Sequence, residues 1–128
     1  MGQQQLLLIV LGVIVVGIAI VVGINLFNAN AVAANRDAVI SDLNNLGSLA
    51  VSYYKKPKSM GGGANSFVGF SVPSNLATTA NGTYTAGTMG ATSAVFTGVG
   101  NEKGDNGSSG VSYTATVYVD SVVIAKYN

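Results

Sequence analysis

Cysteine and histidine are both absent from the 128 residues. That removes disulfides, iron–sulfur ligation, thiol nucleophiles, Ser-His-Asp and Cys-His catalysis and the usual zinc and copper sites, because no thiolate or imidazole is present as base or ligand. Charge is scarce as well. Five acidic and six basic side chains make up 9% of the chain, so any catalysis would fall to a few carboxylates and cations. None of these charges precedes Arg36. The only basic grouping is Lys55, Lys56 and Lys58, and the net charge is +1. Such a balance gives little electrostatic reason to grip phosphates, and no nucleic-acid contact is expected. The chain is read as not an enzyme, with no cofactor and no metal. The two prolines stand at Pro57 and Pro73, so none interrupts a helix before Lys56.

What fills the uncharged N-terminal third is apolar. Leu6 to Ile24 reads LLLIVLGVIVVGIAIVVGI, nineteen residues with neither a charge nor a polar side chain. At about 1.5 Å per residue this approaches the roughly 30 Å of a bilayer core. The run is too long for one strand and is predicted to be helical, despite its Val and Ile content. It lacks the basic flank and the small-residue cleavage site of a secretory signal, and reads as retained. From Asn28 to Tyr54 the helix continues as an amphipathic one. Val32, Val39, Leu43, Leu46, Ala50 and Tyr53 form one stripe, and Asn35, Asp37, Ser41, Asn44, Asn45 and Ser48 are assigned to the opposite face. Lys55 and Lys56 suit the negative end of the helix dipole, and Pro57 disfavours helix at Lys56, so an end near Tyr54 is expected. A continuous helix of that span is about 75 Å long.

The remainder has room for one small head. Ser59 to Asn65, with Gly61, Gly62 and Gly63, reads as a flexible connection. Phe67–Val72, Thr83–Thr88, Thr92–Val99 and Val111–Val119 are rich in Val, Thr, Tyr and Phe, and predict three or four antiparallel strands. In the last of these Val111, Tyr113, Ala115, Val117 and Val119 share one face, the face expected to meet the helix stripe. Whether Val122 to Tyr127 continues that strand or folds back is open, since Asp120-Ser121 is a poor two-residue turn. The stretch Gly98 to Gly110 is polar and glycine-rich, and reads as an exposed loop. The fold class is therefore α+β, a long N-terminal helix packed on a small C-terminal antiparallel sheet. Its divisions are 1–27 for the apolar helix, 28–56 for the amphipathic half and 57–128 for the sheet.

Gly2, the run Leu6, Leu7, Leu8, Ile9, Val10, the long half-buried helix and the strands behind it together resemble the type IV pilins and their pseudopilin relatives. In that family a prepilin peptidase cuts after a glycine, and a glutamate precedes the apolar run. Here Gln5 stands before the run. A mature start at Met1 makes Gln5 the fifth residue and its match, and this start, or an uncut chain, is the expectation. A cut behind Gly2 would start the chain at Gln3 and make Leu7 the fifth residue. The family's proline kink is missing, and Gly12, Gly17 and Gly23 are the weak points left.

The resemblance implies a structural subunit that is held in the membrane, extracted by pilus assembly machinery and polymerised with identical copies into an extracellular filament carrying adhesion on its sheet. Leu6, Leu7, Leu8, Ile9, Val10, Ile14, Ile18 and Ile24 would form the helix core. Gln3, Gln4 and Gln5 read either as polar contacts between subunits or as the flank of a membrane span. The three glycines allow close helix approach, a local break or nothing special. Asn101, Glu102, Asp105 and Asn106 could supply oxygen to calcium, but lack EF-hand spacing and read as a solvated turn. Asn81 and Asn106 head glycosylation tripeptides. Tyr53, Tyr54, Phe67, Phe70, Phe96, Tyr113 and Tyr118 read as packing. Two other readings stay open: a monomeric single-span binding module, and a minor pseudopilin of a secretion machine.

Overall fold

The computed structural model describes residues 2–128, so the start at Met1 lies outside the described residues. One helix, α1, spans Gln3–Lys55 over 53 residues. It runs unbroken through Gly12, Gly17 and Gly23, so none of the three acts as a break. The chain divides between Ala31 and Val32 into two compact units. In the first unit, every residue from Gly2 to Asn30 except Gly23 is exposed.

In the second unit, α1 lies on a four-stranded antiparallel sheet of order β1-β2-β3-β4, formed by β1 (Gly82–Met89), β2 (Ser93–Lys103), β3 (Gly110–Tyr118) and β4 (Val122–Lys126). The α+β architecture is as expected. Val39, Leu43, Leu46 and Ala50 are buried, as are Val111, Tyr113, Ala115 and Val117 of β3. The helical stripe and the strand face thus belong to a single core, completed by Phe67, Tyr84, Ala94 and Phe96. Burying each large side chain of this kind contributes about 1.5–3 kcal/mol. Gly98 serves a close approach: a Cβ there would stand 2.9 Å from the Tyr84 ring.

Several local expectations are corrected. Phe67–Val72 is not a strand. Its backbone makes one hydrogen bond to the sheet's turn, Phe67 N to Gly90 O at 3.2 Å, and Gly69 at φ +90° turns the chain away. Phe67 works instead as a plug, its ring 4.8 Å from that of Tyr54, while Phe70 packs against Tyr53 and Phe96. Gly61–Gly63 is not a loose connection either. Gly63 N and Asn65 N each donate at 2.8 Å to Tyr53 O and Tyr54 O, and Ala64 N donates to Lys56 O at 2.9 Å, which satisfies carbonyls the helix end leaves open.

The stretch from Gly98 to Gly110 is not all loop, because β2 continues to Lys103 through a register shift after Val99. Val122 to Lys126 folds back as β4, with Val117 opposite Val122. Tyr118 N donates to Ser121 O at 2.7 Å, so the turn is centred on Val119-Asp120 and not on Asp120-Ser121. That placement leaves Val119 exposed, outside the buried face assigned to it. Asn35, assigned to the polar face, is half-buried. It stands three residues after Val32 and four before Val39, which puts it on the stripe.

Candidate functional site

The N-terminal half of α1 presents a continuous apolar surface. Leu6, Leu7, Leu8, Ile9, Val10, Ile14, Ile18 and Ile24 are all more than half exposed, and so are Leu26 and Phe27. The helix is long and apolar enough to cross a membrane. A helix apolar on every side has no polar face to leave in water, and is stable where lipid or protein covers it. Gly12, Gly17 and Gly23 each face open space where a Cβ would stand. Gln3, Gln4 and Gln5 occupy the first turn and are exposed, and Gln5 N donates to Gly2 O at 3.2 Å.

Two polar constellations lie in the second unit. In the first, Asp42 Oδ2 accepts from Tyr84 Oη at 2.5 Å, Asn81 Nδ2 at 3.1 Å and Thr79 Oγ1 at 3.2 Å. Burial and then the Asp42 carboxylate push the Tyr84 phenol well above its ordinary value of 10.0, so it stays a hydrogen-bond donor. Its donors being spent on one carboxylate, this cluster fastens α1 to β1 and the segment before it. The residue sequence reasoning missed is Asp42. A signal was present, since Asp42 lies three residues after Val39 and four before Leu46, at the border of the stripe, where a carboxylate needs partners.

In the second constellation, Asp105 pairs with Arg36 at 2.8 Å and with Lys126. Arg36 Nη1 also donates to Asn128 O at 3.0 Å. The Lys126 hydrogen bond, with the positive charge of Lys126 and Arg36, holds the Asp105 carboxyl below its ordinary value of 3.8. This gathers Asp105 toward two cations, an arrangement opposed to calcium binding by its carboxylate. Among the described residues no group of three acidic side chains could hold a metal ion. Asn101 and Glu102 belong to β2, apart from the Asp105–Asn106 turn.

Of the two glycosylation tripeptides, Asn81 is half-buried, with its amide nitrogen given to Asp42. Asn106 is exposed, and its Oδ1 accepts from Ser108 N and Ser109 N. The aromatic residues are divided between the core and the surface, where Tyr118 and Tyr127 stand exposed. No family model, curated protein or solved structure matches the chain, so the functional reading stands on these residues.

Proposed function

We propose that the chain is a structural subunit which polymerises through its N-terminal apolar helix into an extracellular filament of the type IV pilus kind, and that it turns over no substrate. The observation that carries this reading is the charge-free half of α1, exposed on every side. Removing that surface from water is favourable by about 25 cal/mol per Å² of apolar area. Lipid supplies the cover before assembly and neighbouring copies supply it afterwards, so extraction into a filament exchanges one apolar environment for another.

The glycines favour copies over lipid as the final cover. At about 100° per residue Gly12 and Gly23 lie about 20° apart on the helix and Gly17 about 140° from Gly12. Open positions on two sides let neighbouring helices approach closely on both. A polymer subunit uses more than one contact face, while a lone anchor has no use for any. Gln3, Gln4 and Gln5 then hydrogen-bond at the start of the bundle, without the cost of burying a charge.

The test is to shear surface material from cells that express the chain, then image it and identify its subunit. Abundant filaments built from this chain alone are expected. Single-span protein that remains wholly in the membrane fraction, with no filaments, overturns the reading.

A further inference from the structure

The face of the sheet turned away from α1 is unusual for a surface in water. Strand alternation puts Thr83, Thr85, Val95, Thr97, Val99, Thr114, Thr116 and Val123 on it, opposite in direction to the buried Tyr84, Phe96, Ala115 and Val117. Thr85, Thr97, Thr114 and Ala125 form one row across all four strands, and Val95, Thr116 and Val123 another. No charged side chain stands in these rows. Lys126 pairs opposite Tyr113 on the helix side and is spent on Asp105, while Asp120 is in the β3–β4 turn. Soluble surfaces ordinarily intersperse charges of both signs and avoid broad uncharged patches.

Resting on the filament reading, we infer that this face is a contact between copies of the chain, packing sheet to sheet and joining neighbouring filaments side by side. Two identical faces studded with charge would repel, and these rows carry none, Lys103 standing beyond them at the end of β2, opposite Gly110. Threonine hydroxyls both donate and accept, so a threonine row is complementary to its own copy. Relief is complementary too. Tyr118 is exposed at one end of β3, and a hollow of about 440 Å³ lies at the other, beside Val99, Ser112 and Tyr127. Laying β3 antiparallel over β3 of a second copy places each Tyr118 over the other's hollow.

Area sets the scale of the effect. Four strands about 4.8 Å apart and about five residues long at 3.4 Å each cover roughly 300 Å². A stable complex buries about 800 Å² per partner. One pair of faces is therefore too small to hold two subunits together. Filaments present the face at every repeat, and the contact becomes strong only by multivalency.

The experiment compares filaments of the wild type with those of Thr85→Lys/Val123→Lys. Both positions are exposed on edge strands, so the fold tolerates the change, and the charge on each copy rises by two. Low-speed centrifugation and electron microscopy read lateral association, and high-speed centrifugation reads filament yield. Wild-type filaments should sediment at low speed as bundles, whereas the variant should lose the low-speed pellet, keep the high-speed one, and recover bundling when salt screens the lysines. Dispersed wild-type filaments, or a variant that bundles like wild type at low salt, overturn the inference and leave the filament reading intact. Wild-type filaments that disperse but adhere to a neutral polysaccharide resin overturn it in favour of a carbohydrate partner. A wild type that forms no filaments overturns the filament reading and this inference with it.

Discussion

Leu8 and Leu46 belong to the same unbroken helix, yet Leu8 is 68% exposed and Leu46 1%. Residue type and backbone are the same, so what differs is the remainder of the chain opposite each. Around Leu46 the sequence alternates apolar and polar residues at helical spacing, and β3 supplies Val111, Tyr113, Ala115 and Val117 to the same core. Around Leu8 it supplies no polar side chain for nineteen residues and no partner. One region completes its core within a single chain. The other leaves its apolar surface without cover from the described residues, and this difference separates a segment that folds against its own chain from one that does not.

The sharpest way to break this comparison is to charge the exposed region. Ile14→Asp sets a carboxylate near the middle of the apolar half, where membrane insertion alone costs about 2.5–3.5 kcal/mol and an unpaired charge between packed helices costs several more. Filaments should be lost, while denaturant unfolding of the second unit stays at its wild-type midpoint. Sheared-filament yield and urea titration read the two effects. A normal filament yield would show that residue 14 is never enclosed.

The reciprocal change is Leu46→Ala. It should destabilise the second unit by about 2–5 kcal/mol, the cost of removing a fully buried leucine, and Leu8→Ala should leave that unfolding transition unchanged. Asn45→Ala, one residue away on an exposed position, should stay within about 0.5 kcal/mol. If Leu8→Ala shifted the transition as far as Leu46→Ala, the two halves of α1 would share one folding unit and the contrast would fail.

Both of these predictions use features legible in the sequence, and the reason is periodicity. The stripe Val39, Leu43, Leu46, Ala50 and the alternation Val111, Tyr113, Ala115, Val117 are local patterns that name a face before any partner is known. Phe67–Val72 was misleading because its Phe and Val content signals β propensity while Gly69 at positive φ prevents pairing. The Val119-Asp120 turn was hidden for a different reason, as it contains no glycine or asparagine to mark it. Polar links across the fold were the least legible. Asp42, Thr79, Asn81 and Tyr84 meet over separations of 37 to 42 residues, and only the position of Asp42 beside the stripe hints that they should.

That cluster permits a smaller test of how the second unit holds its helix. Asp42→Ala removes the acceptor shared by Tyr84, Asn81 and Thr79 and leaves the buried Tyr84 hydroxyl unpaired. A loss of about 1–3 kcal/mol in urea unfolding is expected. Tyr84→Phe, which removes a donor and leaves two others on Asp42, should cost less. Equal losses would place the stabilisation in the Tyr84–Asp42 bond alone.

The smallest effect belongs to Asp105, which is exposed and screened by solvent. Its carboxyl is held below 3.8 in the folded protein, first by the Lys126 hydrogen bond. A depressed folded value means that the unfolded chain binds the proton more readily. The contribution to stability is therefore present above 3.8 and is lost as the pH falls through the lower folded value. Asp105→Asn should lower the unfolding midpoint slightly at neutral pH, and the two proteins should converge on the acid side of 3.8. Added salt at neutral pH should narrow the gap as well, because the pairing charges face solvent. A gap that stays constant across pH and salt would assign the effect to the conformation of the Gly104–Ser109 turn, where Gly104 N donates to Ser109 O, and remove the ion pairs from the account of how that turn is tied to Arg36 and Lys126.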